Sequence, residues 1–99
     1  MKFKDLKFKS QEIGFGDEIF RARVDFPNGN GLSVVYGEYT YSGDGTYEIV
    51  PLYNDELFTV DSWGDQVAGY ITPEQIDSIL EHAENDSHED FVKFLNEEI

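Results

Sequence analysis

The stretch Phe20-Arg21-Ala22-Arg23-Val24-Asp25-Phe26-Pro27-Asn28-Gly29-Asn30-Gly31-Leu32-Ser33-Val34-Val35-Tyr36 decides how the first two-thirds of the chain folds. Phe20, Ala22, Val24 and Phe26 alternate with Arg21, Arg23 and Asp25, the period-two pattern of a strand with one buried face. Pro27 stops the strand, and Asn28-Gly29-Asn30-Gly31 supplies residues that tolerate positive φ. Leu32, Val34 and Tyr36 then alternate with Ser33, Val35 and Gly37. The two segments form an antiparallel hairpin.

Outward from this hairpin, the turn Ser42-Gly43-Asp44-Gly45 leads into a third strand, Tyr47 to Tyr53. Pro51 cannot donate to a ladder, so an edge or a bulge is expected there. Asn54-Asp55 is another turn, and Leu57-Phe58-Thr59-Val60 reads as a fourth strand. Phe3, Leu6 and Phe8 give a weaker signal, that of an edge strand. From Thr72 the period changes. Thr72-Pro73-Glu74-Gln75 joins a cap hydroxyl, a proline at the first helical position and a glutamine at the third, a capping box. Ile76, Ile79, Leu80 and Ala83 follow on one helical face. Asn85-Asp86 ends this helix, and Ser87 caps a second whose inner face carries Phe91, Phe94 and Leu95. The expectation is a single α+β domain over residues 1–99: an antiparallel meander of four to five strands, then two carboxy-terminal helices.

Composition sets the class of partner. The chain has 99 residues and a formal net charge of −14, and it contains no cysteine. Disulfides and thiolate metal sites are thereby excluded. Eight Phe, six Tyr and one Trp allow a short chain to build a sufficient core. Basic residues at the start precede no apolar run, so neither a signal peptide nor a membrane span is expected, and a cytosolic location is. Residues 1–23 hold six basic residues against four acidic ones, whereas residues 24–99 hold Lys93 alone against 17 acids. Such a surface repels nucleic acid and anionic membranes and attracts basic proteins.

Glu74, Asp77, Glu81 and Glu84 recur on one side of the first helix. At 1.5 Å per residue they span about 15 Å with gaps of about 4.5–6 Å, comparable to the spacing of phosphates along a nucleic-acid strand. A rigid row of carboxylates can occupy a basic groove built for such a backbone. An ordinary solvated face is the plainer reading, but each unrelieved repulsion costs a few tenths of a kcal/mol. Trp63, in an expected loop, is the other candidate for partner binding. A ring folded back over the core is the simpler account of it. Tyr36, Tyr39, Tyr41, Tyr47 and Tyr53 form either one core face or an exposed aromatic face.

Signals for catalysis are poor. His82 and His88 lie among acidic residues, but in neither a zinc-protease nor a calcium-loop spacing, so two solvated histidines are expected. The glycines match no phosphate-binding loop, and no serine sits in a nucleophile elbow. No catalytic residue, metal or cofactor is expected.

Phe26-Pro27-Asn28-Gly29-Asn30-Gly31-Leu32-Ser33-Val34-Val35, Tyr39-Thr40-Tyr41-Ser42-Gly43 and Thr46-Tyr47-Glu48-Ile49-Val50-Pro51-Leu52 resemble segments of a group of small bacteriophage proteins. Those proteins carry an N-G-x-G-x-S-V-V hairpin, and Asp65-Gln66-Val67-Ala68-Gly69-Tyr70-Ile71-Thr72-Pro73-Glu74 is similar to their D-x-V-x-G-Y-L-T-x-E-E element. The resemblance spans roughly residues 19–80. It implies a phage or prophage origin and transfers no catalytic residue. With the charge, it leads to the expectation of an inhibitor that occupies the nucleic-acid site of a basic host protein, such as a nucleic-acid-processing enzyme, in the manner of anti-restriction and anti-CRISPR proteins. The alternatives are a homodimeric small-molecule-binding protein with a pocket between sheet and helices, and a virion assembly accessory.

Overall fold

The computed structural model describes residues 1–99 and has the expected α+β architecture. Strands β1 (Lys9–Gly14), β2 (Asp17–Asp25), β3 (Asn30–Gly37), β4 (Tyr47–Tyr53) and β5 (Glu56–Leu57) lie in sequential antiparallel order. A sixth strand, β6 (Ala68–Ile71), returns to the edge of β4 that β5 also uses. Helices α1 (Pro73–Asn85) and α2 (His88–Glu98) complete the chain.

Alternation assigns the two faces of the sheet. Val24 lies opposite Leu32, and Leu32 opposite Pro51; Ala22 lies opposite Val34, and Val34 opposite Ile49. This face packs on Ile76, Ile79, Leu80 and Ala83 of α1 and on Phe91 and Leu95 of α2, all fully buried. One end of the same layer is aromatic. Phe20 stacks on Tyr36 at 4.9 Å, and Tyr36 meets Tyr47 edge-on at 5.5 Å. Phe3 and Phe8 close over Tyr47 at 5.0 and 5.8 Å. Ring pairs at these separations stabilise beyond the area they bury. The opposite face, carrying Arg21, Arg23, Ser33, Val35, Val50 and Leu52, has no helix over it.

Both helices begin as expected. Thr72 Oγ1 accepts from the Gln75 N–H at 3.2 Å, while Gln75 Oε1 accepts from the Thr72 N–H at 2.9 Å. Ser87 Oγ accepts from the Asp90 N–H at 3.2 Å. The end of α1 is held by the hairpin turn. Asn28 Nδ2 donates to the carbonyls of Ala83 and Asp86 at 2.8 Å each, and Asn30 Nδ2 donates to the same two at 3.1 and 3.0 Å. These carbonyls lie at the end of α1, where carbonyls otherwise lack partners. The two asparagines therefore join sheet to helix, while Gly29, at φ +95°, makes the turn.

Two expectations need correction, one strand was not foreseen, and Pro51 lies on an unpaired stretch of edge as expected. Residues 3–8 form no strand. Phe3–Asp5 is a single 3-10 turn, and Phe3, Leu6 and Phe8 all pack on the core, which an alternating strand would not allow. The edge strand is β1, one step later, almost wholly exposed and polar. The strand expected at 57–60 is only Glu56–Leu57, with Val60 making an isolated bridge to Asp65. β6 has no signal of its own, being four residues with a glycine inside and Tyr70 at φ +58°. Pro51 is buried within β4, yet its lack of an N–H costs nothing. The outer pairing of β4 ends at Ile49 on β6 and resumes at Leu52 on β5, leaving position 51 unpaired on that edge.

Candidate functional site

The acidic helical face is divided by what covers it. Asp77 Oδ1 accepts the backbone N–H of Phe3 at 2.7 Å, and Glu84 Oε1 lies 2.9 Å from the Met1 amino group. These two carboxylates anchor the amino-terminal segment onto α1. Glu74 and Glu81 remain exposed and make no ion pair. The two helices and Asp86 between them carry nine side-chain carboxylates against Lys93. Of these nine, only Glu84 meets a charged amino group; Asp77 holds the Phe3 N–H, and Asp86 lies 2.8 Å from His82 Nδ1. An uncompensated acidic layer thus stands over the core, broader than the four-residue row.

Trp63 is not part of that layer. It sits in the turn between Val60 and Asp65, half-buried and packed on the core. The Ser62 N–H donates to Asn96 Oδ1 of α2 at 2.7 Å, pinning the turn. The indole Nε1 is buried without a partner. The ring packs on the core from one side and is part-exposed on the other.

Both histidines are half-buried and stacked, so the expectation of two solvated imidazoles is revised. His82 lies on Phe94 at 3.8 Å and 15°, with Nδ1 on Asp86. His88 lies on Tyr53 at 3.9 Å and 19° and meets Phe58 edge-on at 5.0 Å. Burial pushes the His88 imidazole below its usual pKa, and its Nδ1 is buried without a partner. No group of three His, Cys, Asp or Glu side chains is placed to hold a metal.

The tyrosines separate into two sets. Tyr36, Tyr47 and Tyr53 belong to the half-buried aromatic layer, whereas Tyr39 and Tyr41 stand in solvent with Tyr70. Phe15, at the tip of the β1–β2 hairpin, is fully exposed. Phe15, Tyr39 and Tyr70 all adopt left-handed backbone, at φ +52°, +62° and +58°. Bulky side chains rarely do so, and the strain persists only where surrounding structure enforces it. For Tyr70 the cause is visible. Its N–H donates to the Tyr41 carbonyl at 2.9 Å, and a Cβ at Gly69 would fall 2.4 Å from Tyr41 Cβ. Sequence reading named Tyr39 and Tyr41 but missed Phe15 and Tyr70, whose only signal was a neighbouring glycine.

The largest cavities open on the outer sheet face and its rim. One of about 470 Å³ is lined by Lys7, Lys9, Ser10, Gln11, Arg21 and Arg23, and one of about 460 Å³ lies over the Ser42–Thr46 turn between Tyr36 and Tyr47. No helix is long and apolar enough to cross a membrane. In comparison with known proteins, no family model, no curated protein and no solved structure matches the chain.

Proposed function

We propose that this chain is a non-catalytic binding protein whose acidic helical layer docks on a basic, nucleic-acid-binding surface of another protein. One observation carries the reading. Of nine side-chain carboxylates between residues 73 and 98, seven have no ionic partner, and the only Lys or Arg in that segment is Lys93. Repulsion of this kind works against folding, and a basic partner relieves it on contact. The bacteriophage resemblance supplies the biology, an inhibitor of a host nucleic-acid-processing enzyme that mimics the phosphate backbone. A phosphate-binding groove presents many cations at close spacing, and Glu74 and Glu81 lie two helical turns apart, about 10 Å.

The test uses Glu74→Gln/Glu81→Gln, which leaves helix propensity close to unchanged. Asp77 is kept because it holds the Phe3 backbone. Basic proteins captured from host lysate should be displaced by duplex DNA and released as salt rises from about 0.05 to about 0.5 M. The double variant should bind them about tenfold more weakly, mainly through faster dissociation. Glu12→Gln/Glu18→Gln, on the far hairpin, should bind as the parent does. Capture that is indifferent to salt and to the α1 substitutions would falsify the reading.

A further inference from the structure

The outer face of the sheet carries charge of the opposite sign. Lys9 of β1 lies directly opposite Arg21 of β2, and Arg21 lies opposite Val35 of β3. Two residues along, Arg23 lies opposite Ser33, and Ser33 opposite Val50. Like charges directly across a strand pair are destabilising. Here such a pair stands in a chain that has three acidic residues for every basic one. Lys7, Lys9 and Arg21 have no carboxylate partner, and no carboxylate lines the cavity they share. Glu48, the acid in the same row as Arg21, is turned to the Tyr41 N–H at 3.2 Å.

Two further features give the cavity a built character. Arg23 is fixed by a two-point contact with Asp25, at 3.1 and 3.2 Å, and by a third contact with Asp55. Arg21 Nη1 approaches Gln11 Oε1 at 3.5 Å. A second cavity of about 270 Å³ shares Arg21 and Arg23 and continues onto Ser33, Val50, Leu52 and the exposed Leu57. The site is therefore cationic at one end and apolar at the other.

We propose that the groove between Lys9, Arg21 and Val50 on the outer sheet face binds a small molecule with an anionic head and a short apolar body. The head, a phosphate or a carboxylate, lies between Lys9 and Arg21, and the body runs across Ser33 onto Val50, two strands from Arg21 and about 10 Å across the sheet. A cavity of about 470 Å³ falls in the range of small-ligand sites. A polyanion is disfavoured by length, because Asp25 and Asp55 close the groove at its Arg23 end. The acidic helical layer does not repel a small anion here. It lies across a molecule 24 Å in its shortest extent, beyond the screening length of about 8 Å at physiological salt. This site is independent of the helical surface.

The experiment is an amide chemical-shift titration with hexyl phosphate, hexanoate and inorganic phosphate, each at constant ionic strength made up with chloride. Saturable shifts at Lys9, Arg21, Ser33 and Val50 are expected, and the tighter of the two hexyl probes names the head group. Inorganic phosphate should bind more weakly than hexyl phosphate. Lys9→Gln and Arg21→Gln should each weaken binding about tenfold, the scale of one charge-assisted hydrogen bond. Val50→Thr, which keeps the side-chain shape and adds a hydroxyl, should weaken the hexyl probes and leave inorganic phosphate unchanged. Glu74→Gln/Glu81→Gln should leave all three unchanged, which separates this site from the helical one. Shifts that grow linearly with every anion, chloride included, overturn the proposal. So does unaltered affinity in both cation variants, or displacement of hexyl phosphate by a single-stranded oligonucleotide at lower concentration.

Discussion

His88 has aromatic rings against its face and its edge, and its buried Nδ1 meets no donor or acceptor. Burial disfavours the charged imidazolium, so the folded-state pKa lies below the unfolded value of about 6.5. The unfolded chain then binds the proton more readily as pH falls. The contribution of His88 is fully present above about pH 6.5 and is lost as pH drops towards the folded pKa. His88→Phe keeps a ring for Tyr53 and Phe58 and removes the titration. Its stability relative to the parent, read from urea midpoints, should therefore increase progressively below about pH 6.5. A difference independent of pH would mean that His88 titrates alike in both states. Taking the difference between two proteins cancels the titration of the 21 acidic residues, which both share.

At the scale of elements, α1 is bounded by two devices that differ in how they are written. The Thr72 cap lies within the helix's own sequence, so its hydroxyl, proline and glutamine spacing could be read directly. The other end depends on Asn28 and Asn30, more than 50 residues away. In sequence these are turn residues and nothing more. Asn30→Ala leaves the Ala83 and Asp86 carbonyls to Asn28 alone, so a loss near the lower end of about 1–3 kcal/mol is expected. Asn28→Ala/Asn30→Ala should cost more than the two single losses added, because each asparagine covers for the other. Strict additivity in chemical denaturation would show that they act separately. The same distinction explains which strands were legible. β2, β3 and β4 carry alternating residues that bury one face; β1 and β6 exist because a neighbouring backbone offers them a ladder. It explains the site as well. The acidic row is a helical spacing, visible in one segment, but its division depends on Phe3 reaching Asp77. The Lys9–Arg21 pair depends on a register set by the Gly14–Gly16 turn, in which Phe15 stands at positive φ.

Across the whole molecule, charge is sorted by layer, with carboxylates over the helices and a cationic groove on the far side of the sheet. Only four ion pairs cross-link this distribution, each with at least one partner substantially exposed. Exposed pairs contribute about 0–1 kcal/mol each, and salt weakens them. Against them stands repulsion among the unpaired carboxylates of α1 and α2 and between Lys9 and Arg21, which salt also weakens. With a net charge of −14, the repulsive side is the larger. Added sodium chloride should therefore stabilise the fold. Most of the effect should come between about 0.01 and 0.15 M, where the screening length falls from about 30 to about 8 Å. Glu74→Gln/Glu81→Gln removes part of the repulsion at source, so its thermal midpoint should start higher at low salt and rise less. Sodium sulfate and sodium chloride matched in ionic strength separate screening from general exclusion effects, since sulfate also strengthens apolar burial. A midpoint that falls with chloride over this range would mean that the four ion pairs outweigh the acidic layer. The helices would then carry no excess repulsion for a basic partner to relieve.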